Sequence, residues 1–361
     1  MIRETHNEAV KYLSQALEAA ETRRGFCAPN PAVGAVVVKA GTVLAVGSHW
    51  AAGYPHAEVE ALKNLKSEAE GATIYVTLEP CCMYGRTPPC TSLLIERRIG
   101  RVVYGYADPD ARVSGRGAAL LREAGIECEL VEIPAIQSFY ESYRYWQQTR
   151  LPFVTAKLAM SLDGKTALEG GEPVRLTGLD TDVLTHQFRK RADALLTTAR
   201  TIASDDPSLN ARLGDAVIAK PVYVLDTRAT LSPQARIFTT ASSVTVFHSA
   251  KADTHRLEVL KNAGAHLVTI AESLEGLDWT GVMQALGKNG VQDLWVEAGG
   301  RSIESLSRTP YLKRAYLYVA PRWLGERAHL AFERGPDALF SKATRLRWSG
   351  SGQDAVCEVT L

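Results

Sequence analysis

Three fragments in the first hundred residues carry the side-chain types that hydrolysis at a metal needs: Asn30-Pro31-Ala32-Val33-Gly34, Pro55-His56-Ala57-Glu58, and Glu79-Pro80-Cys81 followed by Cys90. An imidazole from His56 and thiolates from Cys81 and Cys90 would make three protein ligands for tetrahedral zinc, with the fourth position open to water. Zinc lowers the pKa of such a water towards neutrality, and a carboxylate outside the ligand set must then move protons between water, a ring nitrogen and departing ammonia. Glu58 is the candidate. On a continuous helix His56 and Glu58 would point roughly 200° apart, so they can converge only on a metal beyond the helix's N-terminal end. Cys81 and Cys90 each follow a proline and are expected to precede helices, whose dipoles favour thiolates.

The order H-x-E, then P-C and a second cysteine, matches the general signature of zinc deaminases acting on nucleobases, where two residues separate the cysteines. Here eight residues, CMYGRTPP, separate them. This loop argues against a generic cytidine or tRNA deaminase and places Arg86 beside the metal, where a phosphate or sugar contact is expected. Other readings stay open. The thiols could be buried and apolar, or the zinc purely structural, which would leave Glu58 without a task. Cys82 could replace Cys81. His49 reads as structural or substrate-side, and Cys27, Cys128 and Cys357 as ordinary buried thiols.

These residues need a scaffold, and the apolar pattern supplies an α/β one. Val10, Leu13, Leu17 and Ala20 recur at helical spacing up to Gly25. A strand at 32–38 follows, then a helix from about His56, a strand at 73–78, a helix after Cys90, a strand at 101–106, a helix near Gly117 and a strand near Ile126. A helical stretch over 137–149 ends at Arg150-Leu151-Pro152, where proline forces extended geometry on its predecessor. The expected domains are therefore 1–149 and 150–361. In the second, a strand over 153–158 is followed by strands near Ala194, Val222, Val244, His266, Leu294 and Tyr316.

Basic and acidic side chains number 41 and 40, so the chain as a whole lacks the positive field that drives nucleic-acid binding. The first 25 residues, with acids and bases interrupting every apolar stretch, have neither the uniform apolar core of a signal peptide nor a membrane span. Small-molecule substrates, a cytoplasmic location and reduced cysteines are expected, with neither nucleic acid nor membrane as partner.

The chain resembles the bifunctional riboflavin-biosynthesis deaminase/reductase family along essentially its whole length. The resemblance rests on Asn30 to Gly34, the run from Gly47 to Glu58, the Gly85 to Cys90 loop, and Asp108-Pro109-Asp110 with Gly115-Arg116-Gly117. It implies a cytidine-deaminase-like N-terminal domain and a dihydrofolate-reductase-like C-terminal domain. The first would deaminate a 2,5-diamino-6-ribosylamino-pyrimidinone 5′-phosphate, with Asn30 on the pyrimidine. The second would use NADPH to reduce the ribosyl group to ribityl. The family often has Ser-His-His where this chain has Cys82-Met83-Tyr84, so contacts made by those histidines do not carry over. A homo-oligomer is expected.

In the second half the matching fragments are Lys157 to Lys165, Arg189 to Ala194, Thr201 to Arg212 and Val296 to Gly300. On them the resemblance implies a catalytic Lys157, cofactor contacts at Ala159, Thr201 and Asp205, and substrate contacts at Arg189, Leu209, Arg212 and Glu297, although by its neighbours alone Arg189 reads as a solvated cation on the Arg189-Lys190-Arg191 face. No G-x-G-x-x-G follows a strand and opens a helix, which disfavours a Rossmann site. Gly299 and Gly300 ahead of a short helix instead suggest a phosphate cradle. Thr227 and Arg228 follow an apolar strand, where α/β sheets meet ligands, and are expected at the cofactor's 2′-phosphate. Arg175, where the family typically has tryptophan, could face the same phosphate. Two alternatives remain: a deaminase with a degenerate reductase half, and a nucleoside or nucleic-acid deaminase with a binding C-terminal domain.

Overall fold

The computed structural model describes residues 2–65, 67–84, 88–110, 112, 114–169 and 174–361. They form two compact units, Met1–Arg150 and Leu151–Leu361.

The first unit runs α1 (Ile2–Glu21), β1 (Gly34–Lys39), β2 (Thr42–Ser48), α2 (Ala57–Leu62), β3 (Thr73–Val76), α3 (Cys90–Glu96), β4 (Arg101–Tyr104), α4 (Arg116–Glu123), β5 (Glu127–Leu130), α5 (Pro134–Phe139) and α6 (Glu141–Thr149). Its sheet has the order β2-β1-β3-β4-β5, with β1 antiparallel to both neighbours and β3, β4 and β5 parallel. Alternation along β1 sends Val36 and Val38 into the core under α1, and Ala35 and Val37 into the core under α2 and α3. Two glycines let the helices press this close. A Cβ on Gly34 would stand 1.9 Å from the Ala16 carbonyl oxygen of α1, and one on Gly47 would stand 2.3 Å from that of Ala57 in α2.

Strand β2 lies in the gap that the sequence pattern leaves between 38 and 56. It is an edge strand, largely exposed and broken by Ala45 and Gly47, so it lacks a buried strand's apolar run. The single helical stretch expected over 137–149 is two helices meeting at Tyr140, which caps both.

The second unit runs β6 (Phe153–Ser161), β7 (Lys165–Ala167), α7 (Leu179–Arg191), β8 (Ala194–Thr198), α8 (Ala199–Asp205), β9 (Ala211–Leu213), β10 (Ala216–Ile218), β11 (Pro221–Leu225), α9 (Ile237–Thr240), β12 (Ser243–His248), α10 (Thr254–Asn262) and β13 (Ala265–Thr269). It continues with β14 (Glu272–Ser273), β15 (Gly276–Leu277), α11 (Trp279–Lys288), β16 (Asp293–Glu297), α12 (Gly300–Ser307), β17 (Leu312–Ala320), β18 (His329–Leu330), β19 (Arg345–Ser351) and β20 (Asp354–Thr360). Nine strands make one sheet in the order β13-β12-β11-β8-β16-β6-β17-β20-β19. It is parallel from β13 to β17, and the β19–β20 hairpin completes it antiparallel. One face carries the core of α11 and α12, around Met283, Leu286 and Ile303; the other carries Ile202, Ile237, Leu260 and Trp295.

Candidate active sites

In the first unit His56 is the residue before α2, and Cys90 is the first residue of α3 after Pro89. Cys81 sits in irregular chain rather than ahead of a helix, contrary to expectation. The backbone N–H of Cys90, at the start of α3, donates to the Cys81 sulfur at 3.3 Å. His56 Nδ1 stands 3.2 Å from Cys90 Sγ and 3.5 Å from Cys81 Sγ, and the three ligand atoms lie within 4.8 Å of one another. One nitrogen and two sulfurs converging on a point is a donor set that suits zinc. The three groups divide their protons unevenly. Hydrogen bonding from Cys90, then from His56, holds the Cys81 thiol down at about 4. Its bond to Cys81 lifts His56 to about 8, and the same contact with Cys81, together with burial, pushes Cys90 well above the ordinary thiol value. Cys82 is not part of the group.

Glu58, in the first turn of α2, is 3% exposed. Burial pushes its carboxyl up, against the downward pull of His56. Asn30 Nδ2 lies 3.2 Å from His49 Nε2, and the His49 ring meets that of His56 edge-on with centroids 5.4 Å apart. Arg86 lies outside the described residues.

Glu79, part of the Glu79-Pro80-Cys81 fragment, has a structural task that the sequence does not advertise. Buried just before Pro80-Cys81, it accepts backbone N–H groups from Gly115 at 3.0 Å and Ala118 at 3.2 Å. A Cβ on Gly117 would stand 2.1 Å from the Pro80 carbonyl oxygen. The Gly115-Arg116-Gly117 run thus seats α4 against the cysteine loop.

In the second unit a cavity of about 910 Å³ opens at the C-terminal ends of the parallel strands. Lys157, Ala159 and Glu297 line it on β6 and β16; Thr201 and Asp205 on α8; Thr227 and Arg228 after β11. Arg175, Gly299 and Gly300 complete the expected set. Lys157 and Glu297 are cross-strand neighbours, and the Lys157 Nζ stands 5.4 Å from the Tyr318 ring centroid. Enclosure lowers the Lys157 pKa, against the pull of Glu297.

Arg189, Leu209 and Arg212 are not among the lining residues. Arg189 is not a solvated cation on a helix face. It donates to both carboxylate oxygens of Glu297, at 2.6 and 2.9 Å, and to the Asn210 carbonyl at 3.1 Å. Trp295 Nε1 adds a bond to Glu297 at 2.8 Å. Against the upward push of burial, Arg189 holds the Glu297 carboxyl at about 2. Arg212 donates to the Asn210 side chain at 2.8 Å. Leu209 packs its side chain into the core, leaving only its backbone for any substrate.

The two glycines ahead of α12 differ. A Cβ on Gly300 would stand 1.7 Å from the Ala331 carbonyl oxygen, so this glycine is there for packing, whereas a Cβ on Gly299 would meet nothing within 4 Å. Gly299 caps α12 with no side-chain hydrogen bond, leaving the first amides of the helix free of a side-chain partner. Open space, uncapped amides and the cations Arg175 and Arg228 in the same cavity suit a phosphorylated dinucleotide. Both cations have acidic partners. Arg175 pairs with Asp182, and Arg228 lies 3.4 Å from Glu272.

Known proteins match on both units. The cytidine and deoxycytidylate deaminase zinc-binding region family matches residues 6–106, and the RibD C-terminal domain family matches residues 152–356. The chain is 36% identical over 328 residues to riboflavin biosynthesis protein RibD of Aquifex aeolicus, covering 90% of each. It is 32% identical over 330 residues to that of Escherichia coli K12, covering 88% of this chain and 89% of the relative. Among solved structures, RibD of Acinetobacter baumannii superposes with a TM-score of 0.86 at 29% identity, over 99% of both chains. The deaminase/reductase of Thermotoga maritima does so with 0.83 at 28%, again over 99% of both. With one architecture matched along both units, the chain belongs to the RibD family of riboflavin biosynthesis proteins.

Proposed function

We propose that this protein performs two successive steps of riboflavin biosynthesis: hydrolytic deamination of 2,5-diamino-6-ribosylamino-4-pyrimidinone 5′-phosphate in its first unit, and NADPH-dependent reduction of the product's ribosyl group to ribityl in its second. The observation that carries the reading is the convergence of His56, Cys81 and Cys90 beside a buried carboxylate. His56, Cys81 and Cys90 would hold zinc, which when bound supplies the Lewis acidity that makes water nucleophilic at neutral pH. Glu58 takes one proton from the attacking water and delivers it to the ring nitrogen, then takes the second from the hydroxyl left on the ring carbon and delivers it to the amino group, which departs as ammonia; its burial favours the protonated intermediate state of such a shuttle. Asn30 holds the pyrimidine, and Arg86 takes the sugar phosphate.

In the second unit NADPH supplies hydride. Lys157 polarises the opened sugar's carbonyl or imine, helped by a lowered pKa. Glu297, Arg189, Arg212 and the Leu209 backbone shape the substrate end. Ala159, Thr201, Asp205, Gly299 and Gly300 take the cofactor, with Thr227, Arg175 and Arg228 at the 2′-phosphate.

The balanced charge supports a protein that takes small phosphorylated pyrimidines and no nucleic acid. No described helix is long and apolar enough to cross a membrane, and we place the protein in the cytoplasm. Edge strand β19, with Leu346 and Trp348 exposed, supports a homo-oligomer; light scattering in solution tests it. The function itself is tested by zinc content, ammonia release and NADPH oxidation on one purified sample. Absence of zinc or of ammonia release would sink the first assignment, and ammonia release without NADPH oxidation would leave the second unit inert.

A further inference from the structure

His49 is 2% exposed and held from every side. Its backbone N–H donates to the Val33 carbonyl at 2.9 Å, and its own carbonyl accepts the Cys27 thiol at 3.2 Å. The Cys27 carbonyl in turn accepts the Asn30 N–H at 2.9 Å, so Asn30 and His49 share one anchor. The ring is equally constrained. Its Nδ1 lies 3.0 Å from the Pro55 carbonyl oxygen, which can only accept, so Nδ1 carries the proton. No carboxylate is among the ring's hydrogen-bond partners, and the ring stands edge-on to His56, a candidate metal ligand. In the neutral ring Nε2 offers only a lone pair, and at 3.2 Å it takes an N–H from the Asn30 amide. Asn30 therefore cannot turn its oxygen towards His49. Rotating the amide by half a turn would set two lone pairs against each other in a partly buried place.

We propose that His49 is a positioning residue that fixes which way the Asn30 amide faces, so that Asn30 offers its oxygen to the ligand and the first unit selects rings presenting an N–H donor on that edge, as an aminopyrimidine does. The Pro55 carbonyl, one residue before His56, thereby sets the hydrogen-bond polarity of the substrate contact through a relay of two side chains. The inference rests on the reading of Asn30 as the pyrimidine contact.

The test uses the full-length zinc-loaded protein with Glu58→Gln added to stop turnover, and measures binding of the aminopyrimidine phosphate by calorimetry. Asn30→Ala tests the underlying reading. His49→Asn keeps a donor for Pro55 but cannot reach Asn30, whereas His49→Gln places an amide oxygen near the position of Nε2. We expect Asn30→Ala and His49→Asn each to weaken binding roughly ten- to a hundredfold, as befits a lost or misdirected hydrogen bond in a partly enclosed site. His49→Gln should stay within about threefold of the parent, and Asn30→Ala/His49→Asn should be no weaker than Asn30→Ala alone, since coupled residues are not additive. Zinc content should be full throughout. Unchanged affinity in His49→Asn, equal losses with glutamine and asparagine, additive losses in the double variant, or loss of zinc from His49 variants would each overturn the proposal. Normal binding by Asn30→Ala would instead remove the substrate contact on which it stands.

Discussion

In the first unit the groups that would do chemistry converge: three ligand atoms share a sphere less than 5 Å across, with Glu58 two residues beyond His56 on the same segment and Asn30 on another. In the second unit the corresponding groups spread around a 910 Å³ cavity, and several neutralise one another, Arg189 with Glu297, Arg175 with Asp182 and Arg228 with Glu272. A convergent site waits for a cation and is completed by it. A site of paired ions is already electrostatically satisfied, and a charged ligand must exchange partners with it. Single substitutions should therefore cut activity sharply in the first unit, and should act on stability as much as on activity in the second.

The largest effect is expected at Glu58. Glu58→Gln should keep zinc yet lose deamination by about 10²- to 10⁴-fold, while reduction of supplied deaminated intermediate continues; Lys157→Ala should do the converse. Full ammonia release from the glutamine protein would remove the assigned role, and loss of both activities in either variant would contradict two separate sites.

Next comes the buried pair of the second unit. Arg189→Ala leaves Glu297 enclosed and unpaired, and should cost about 3–5 kcal/mol of stability, whereas replacing both residues with apolar ones of similar volume should recover much of it. Thermal unfolding decides. A loss below about 1 kcal/mol would mean that the pair is no more than a surface contact.

Asp193 and Lys220 lie just before β8 and β11, and Asp293 opens β16, at the end of the sheet away from the cavity. Burial lifts Asp193 to about 6 and lowers Lys220 to about 8. A carboxyl raised in the folded state favours folding while it is protonated, and that advantage fades as pH climbs from about 4 through 6. A lysine lowered in the folded state costs stability in full below about pH 8, and that cost fades as pH rises from there towards the ordinary lysine value of 10.5. Wild type should therefore lose up to about 3 kcal/mol of stability between pH 4 and 7 from Asp193, and Asp193→Asn should flatten that slope. Parallel pH profiles would refute it.

The smallest effect is expected at Arg228. Because Glu272 already holds it, Arg228→Ala should weaken NADPH by only about tenfold, near 1.4 kcal/mol, and leave NADH unchanged. Equal changes for both cofactors would place Arg228 away from the 2′-phosphate.

What the sequence revealed follows the same division. His56, Glu58, Cys81 and Cys90 were legible because their chemistry is written in short spacings, and Asn30 because its motif resembles a family's. The Arg189–Glu297 pair joins residues 108 positions apart, and no local pattern marks such a partner; the charged run Arg189-Lys190-Arg191 even suggested solvent. Leu209 was assigned by position within a matching fragment, which says nothing of where its side chain points. Strand β2 escaped because an exposed edge strand needs no apolar run, and Glu79 because an acid that accepts backbone amides looks like any other acid.

The strand order also sets a timetable for synthesis. The first unit's sheet is complete once Leu130 has been made, and each of its strands pairs with a neighbour near in sequence or one helix away. In the second unit β6 is the first strand to emerge, yet its two partners are β16 and β17. From residue 161 to residue 320, roughly 8–30 s at typical ribosomal rates of 5–20 residues per second, an apolar strand bearing Lys157 must wait without its permanent neighbours. A nascent chain stalled within that interval should already carry a protease-resistant first unit, with everything beyond residue 151 still open to cleavage.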